Sequence, residues 1–191
     1  MDWICLWLAS YKKLSRSSVR LLNELKQIRA TQQINTKGYY LGIDPGRSKT
    51  GLTLTDVRGE ILAVQVVRTR NFGDNLLQFL FDTLQVNNLW GLRKKLLGIV
   101  MGNGTGSEKH AQWIGNLIPG VVIHLVDETR STEEARKLYW ELFPPKGWRR
   151  LIPLGLQTPP EPLDGYAAVV QVRRYLAQQE KQEKEFLEST D

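Results

Sequence analysis

Four carboxylates stand where a folded α/β chain could bring them together. Asp44 follows the apolar run Leu41-Gly42-Ile43, Asp127 and Glu128 follow a second run over residues 121–126, and Asp164 opens the last helical pattern. In α/β sheets the ends of strands adjoin the crevice where ligands bind. Carboxylates are hard oxygen donors suited to magnesium or manganese. Two such ions about 4 Å apart can activate a water and stabilise the departing oxygen in phosphodiester hydrolysis, a reaction that requires no histidine. Gly42, Gly46 and Gly51, beside the first carboxylate, would let a phosphate backbone approach.

Taken singly, each residue has a plainer reading. Asp44 before Pro45-Gly46 fits an Asx turn, Asp127 and Glu128 fit a loop rim, and Asp164 fits a charge answering a helix dipole. Their order and combination carry the chemistry. Ser131-Thr132-Glu133-Glu134 has the form of a capping box, so Glu133 and Glu134 read as helix-start residues rather than ligands. His124 sits in a strand, facing outward or hydrogen-bonded internally, and His110 is expected on a helix surface. Gly102-Asn103-Gly104-Thr105-Gly106 lacks the Lys-Ser or Lys-Thr of a P-loop, which disfavours a nucleotide-dependent kinase or ATPase.

The elements that must position these residues follow from the hydrophobic periods. Strands are predicted at 39–43, 51–55 and 61–67, joined by short turns and hence antiparallel. Helices at 71–88 and 107–117 alternate with short apolar strands at 96–101 and 121–126, and the alternation implies parallel crossovers. Two further helices are predicted, from 131 to about 143 and from about 163 to 178, separated by a proline-rich loop. The class is α/β: a mixed five-stranded sheet of three antiparallel and then two parallel strands, flanked by helices, which is the pattern of a ribonuclease H-like fold.

With 191 residues, 41% of them hydrophobic and 24% charged, the chain has the composition of one folded domain rather than of a disordered or repetitive polymer. One cysteine, Cys5, excludes an internal disulfide, and with two histidines it cannot build a Cys/His zinc site. The opening run 3–9 is too short to span a bilayer and Asp2 is wrong for a secretion signal, so a cytoplasmic location is expected.

The net charge of +6 points to an anionic partner. Residues 1–37 hold seven basic side chains against two acidic ones. Leu14, Val19, Leu22, Leu25 and Ile28 recur there at helical spacing, the pattern of a basic amphipathic extension. Residues 38–178 form the domain, and 179–191 an acidic polar tail. Within the domain, Arg93-Lys94-Lys95 and Lys146 with Arg149 and Arg150 are candidate phosphate contacts.

Four stretches, in order, resemble the motifs of the YqgF/RuvX family of RuvC-like nucleases. They are Leu41-Gly42-Ile43-Asp44-Pro45-Gly46-Arg47 with Gly51, Ile99-Val100-Met101-Gly102-Asn103-Gly104, Val126-Asp127-Glu128-Thr129-Arg130-Ser131-Thr132-Glu133-Glu134-Ala135, and Leu163-Asp164-Gly165-Tyr166-Ala167-Ala168. The likeness covers residues 39–178. It implies a ribonuclease H-like domain, a divalent metal (Mg2+ or Mn2+) held by Asp44, Asp127, Glu128 and Asp164, and cleavage of structured nucleic acid, with Arg47 and Arg130 as further nucleic-acid contacts. The family is assigned to maturation of the 5′ end of pre-16S ribosomal RNA and has also been linked to Holliday junctions. Here Thr129 intervenes before the arginine of the family's Asp-Glu-Arg, Gly165 replaces a second aspartate, and Asn103 rather than a carboxylate follows the fourth strand.

Three readings follow: a magnesium-dependent endonuclease on ribosomal RNA precursor, a junction-resolving DNA nuclease that would need a homodimer, and a non-catalytic RNA-binding protein whose site has decayed.

Overall fold

The computed structural model describes residues 38–104 and 106–188. The basic extension 1–37 lies outside the described residues. Five strands form one sheet: β1 (Tyr39–Asp44), β2 (Lys49–Asp56), β3 (Ile61–Arg68), β4 (Leu96–Gly102) and β5 (Ile123–Val126), in the order β3-β2-β1-β4-β5. β1–β2 and β2–β3 pair antiparallel, while β1–β4 and β4–β5 pair parallel. This is the ribonuclease H-like arrangement that the element order predicts.

The β2–β3 turn closes on Asp56, whose carboxylate accepts from the backbone amides of Arg58 (2.8 Å) and Glu60 (2.9 Å), with Gly59 in the left-handed region at φ 78°. Alternation then divides the sheet. Leu41 and Ile43 of β1, Leu52 and Leu54 of β2, and Ile99 and Met101 of β4 face one core. That core is closed by α1 (Phe72–Leu84), α2 (Leu89–Lys95) and α3 (Ser107–Leu117). Each fully buried leucine or isoleucine there contributes about 1.5–3 kcal/mol. The opposite face, which carries Gly42, Asp44 and Gly51, is covered by α4 (Ser131–Leu142) and α5 (Asp164–Glu188).

Several boundaries differ from the sequence expectation. The predicted helix 71–88 ends at Leu84 because Gln85 turns left-handed, at φ 53°. Asn88 then caps a second helix by accepting from the amide of Gly91 at 2.8 Å, which puts Arg93, Lys94 and Lys95 on α2. The capping box is not formed: Arg130, at φ 59°, occupies the N-cap of α4, and the Glu134 carboxylate is held by Arg174. The last helix does not stop at Gln178 but continues through the acidic tail to Glu188, where good helix formers and the Lys181–Glu185 pair at 3.6 Å suit an exposed helix.

Candidate functional site

α5 crosses the sheet, meeting each strand in turn. Gly165 lies on Val64 of β3, the backbone of Asp164 on Gly51 of β2, Ala168 on Gly42 of β1, Gln171 on Gly102 of β4, and Tyr175 on His124 of β5. Gly51 is the cross-strand partner of Asp44. A side chain at Gly51 would collide with the Asp164 carbonyl, so its absence lets the start of α5 settle beside Asp44. Gly165 has a similar role: a methyl group there would strike Val64.

Glu128 approaches from the other side. Its carboxylate lies over Gly104 and Gly102, where a Cβ on Gly104 would fall on the carboxyl group itself. Asp44 feels the charge of both Asp164 and Glu128, and accepts a hydrogen bond at Oδ1 from Gln171 Nε2 at 2.8 Å. Burial raises the Asp44 carboxyl from 3.8 to about 6, against the Gln171 hydrogen bond and with the added repulsion of Asp164 and Glu128.

Asp127 is turned elsewhere. Its exposed carboxylate accepts from the Thr129 hydroxyl (2.7 Å) and amide (3.0 Å), and these bonds hold it below the ordinary carboxylate value. Of the adjacent acidic pair, Glu128 is therefore the member that acts on Asp44. Thr129 is what engages Asp127. The Asp127–Thr129 segment is held by Arg174 of α5, which donates to the carbonyls of Asp127 (2.6 Å) and Thr129 (2.8 Å) and pairs with Glu134 at 2.8 Å. The Asn103 side chain accepts from the Glu128 amide at 3.4 Å. Gln171 and Arg174, neither of them singled out from the sequence, orient the carboxylates. One signal was available: Gln171 is the polar residue within the apolar, buried stretch 165–172.

His110 is buried, not on a helix surface. Its Nδ1 lies 2.8 Å from the Gly106 carbonyl and its Nε2 2.9 Å from the Thr50 hydroxyl; Thr50 in turn meets Thr69 at 3.0 Å, and Thr69 donates to the Gly46 carbonyl at 2.8 Å. This chain ties the loop after Asp44 to the loop that carries Gly104. Burial lowers the His110 pKa and favours the neutral ring. His124 bonds the Tyr175 hydroxyl at 3.2 Å.

The cations divide. Arg47, in the turn after Asp44, and Arg130, just past Glu128, lie at the carboxylate end and are exposed. Lys146, Arg149 and Arg150 belong to the loop that leads into Asp164. Arg93, Lys94 and Lys95 precede β4, which runs parallel to β1, so they stand at the opposite end of the sheet, about 20 Å from Asp44 at roughly 3.3 Å per residue. There Lys95 Nζ donates to the Leu84 carbonyl at 2.7 Å and Lys94 lies 3.5 Å from the Trp90 ring centre. The structure does not bring this basic cluster to the carboxylates.

The residues present fit a hard divalent cation in part. Burial raises the Asp44 carboxyl, the charges of Asp164 and Glu128 add to the effect, and Gln171 Oε1 is buried without a protein partner. Among the described residues no group of three or more His, Cys, Asp or Glu side chains is arranged to hold a metal ion. The donor set suits a magnesium ion held by one or two carboxylates, with water and substrate phosphate completing its shell.

No family model matches the chain, and no curated protein matches it. RuvC from T. thermophilus, solved in complex with a Holliday junction substrate, aligns over 74% of this chain and 95% of its own, at 15% identity and a TM-score of 0.41. A ROK family transcriptional regulator, a homolog of the E. coli MLC protein, aligns over 56% of this chain at 18% identity and a TM-score of 0.36; the match spans 32% of the regulator. The ethanolamine utilization protein EutJ from Carboxydothermus hydrogenoformans aligns over 62% of this chain and 47% of its own, at 19% identity and a TM-score of 0.34. None of these likenesses bears on the chemistry, which rests on the side chains. Among the described residues no helix is long and apolar enough to cross a membrane.

Proposed function

We propose that the protein is a magnesium-dependent endonuclease acting on structured nucleic acid, with the 5′ end of ribosomal RNA precursor as the preferred substrate. The observation that carries this reading is the raised carboxyl of Asp44, at a strand end within reach of the charges of Asp164 and Glu128. Burial, with the added repulsion of Asp164 and Glu128, disfavours the charged form of Asp44, and a bound cation would relieve that cost. Asp44, Asp164 and Glu128 would hold magnesium, which when bound supplies an activated water and stabilises the departing oxygen. Asp44 must shed its proton to bind, and the Gln171 amide favours that ionised form while orienting Oδ1. Arg174 keeps Glu128 in place through the Asp127 and Thr129 carbonyls. Arg47 and Arg130, both exposed, would meet phosphates that approach the same end of the sheet. In the hydrolysis a water oxygen bonds to phosphorus, the ester oxygen leaves, and the water's proton passes to solvent or to that oxygen.

The test is incubation of the purified protein with a labelled 5′-extended ribosomal RNA precursor, with and without magnesium, beside Asp44→Asn. Metal-dependent cutting that disappears in the variant is expected; equal cutting by the variant sinks the proposal. A second reading is favoured by the outward turn of Asp127: an RNA-binding protein without turnover. Binding without cutting, on a substrate that an active relative processes in parallel, would establish it.

A further inference from the structure

We propose that the loop between α4 and α5 is a stacking platform for an unpaired nucleotide, with Trp148 as the surface that receives the base and Lys146, Arg149 and Arg150 as contacts for the flanking phosphates. This rests on the nucleic-acid reading above and narrows it to substrates with unpaired residues.

The loop is pinned from within. Gln157, buried, donates through Nε2 to the carbonyls of both Arg149 (2.8 Å) and Ile152 (2.7 Å), and Arg150 Nε donates to the Pro145 carbonyl at 3.1 Å. The Arg149 guanidinium lies over the buried Trp140 ring, 5.9 Å from its centre. Two 3-10 turns, Gly147–Leu151 and Leu154–Leu156, shape the rest. On the outer side the same loop leaves Trp148 72% exposed, Leu151 87% and Leu156 79%. An ordered loop that holds an indole and two leucines in water carries a solvation cost that a partner surface removes.

The chemistry of that partner follows from the charge. Residues 146–156 hold three cations and no acidic side chain. An anionic partner with flat apolar faces is a nucleic acid whose bases are free to stack. In a duplex those faces are occupied by neighbouring bases, whereas an unpaired base offers one to an indole, whatever its identity. The loop belongs to the connection between α4 and α5, the helix that Asp164 opens.

Binding of the full-length protein carrying Asp44→Asn, without divalent cation, to labelled oligouridylate, oligothymidylate and blunt duplexes of equal length tests this by fluorescence anisotropy. Trp148→Ala is expected to weaken both single strands about tenfold or more and to leave the duplexes unchanged. Trp148→Phe is expected to keep most of the affinity, which separates stacking from a folding defect. Lys146→Ala with Arg150→Ala is expected to weaken every nucleic acid and to flatten the salt dependence. Single-strand binding by Trp148→Ala equal to that of its parent overturns the platform alone. A parent that binds neither single strand nor duplex overturns the nucleic-acid reading with it.

Discussion

The Gln171 side-chain amide donates to Asp44 Oδ1 at 2.8 Å, joining positions 127 residues apart. A carboxylate that feels the charges of Asp164 and Glu128 is thus steadied by a neutral donor rather than by a cation. Gln171→Leu removes the bond that favours the charged form, so the Asp44 carboxyl is expected to titrate above its present value of about 6. Carboxyl-detected NMR titration of the metal-free protein measures the change. The acid limb of any cleavage profile should move to higher pH with it; an unmoved Asp44 titration would show that Gln171 is only a spacer.

Asp44 also makes stability depend on pH. Its folded value of about 6 exceeds its ordinary value of 3.8, so between the two the folded chain binds more protons than the unfolded one. Stability therefore falls as pH rises through this window. Without metal, Asp44→Asn is expected to melt above the wild type at pH 7.5, with the gap closing below about pH 4. Melting curves across that range check it, and magnesium should stabilise only the wild type.

The site glycines differ in what a methyl group would meet. At Gly51 it is the Asp164 backbone, which cannot swing away, so Gly51→Ala is expected to cost about 1–3 kcal/mol and to displace Asp164. At Gly104 it is the Glu128 carboxyl, the movable end of a side chain. Gly104→Ala is expected to keep the denaturant midpoint near that of the wild type while lowering magnesium affinity. Denaturation beside calorimetric metal titration separates the two.

Asp127 and Glu128 are neighbours with different work. Glu128→Gln is expected to lower cleavage roughly 100-fold or more. Asp127→Asn, whose amide oxygen can still accept from Thr129, is expected to stay within a few-fold of the wild type. Single-turnover rates at saturating magnesium decide it. The reverse order would assign the metal to Asp127.

The local signals in the chain were enough for the sheet and for the ends of its strands. Apolar runs of strand length, a Pro-Gly turn after Asp44 and helical periods between later strands are set by neighbours in sequence, and they determined a mixed five-stranded sheet with Asp44 at a strand end and Asp164 opening the last helix. Direction was another matter. Whether Asp127 or Glu128 faces inward depends on Thr129 and on Arg174, which reaches its partners from more than 40 positions away. The burial of His110 depends on Thr50, supplied by β2, and the placing of Arg93, Lys94 and Lys95 away from the site depends on β4 running parallel to β1. Backbone period is a local property, whereas the aim of a polar side chain is decided by the donors and acceptors that tertiary packing brings to it.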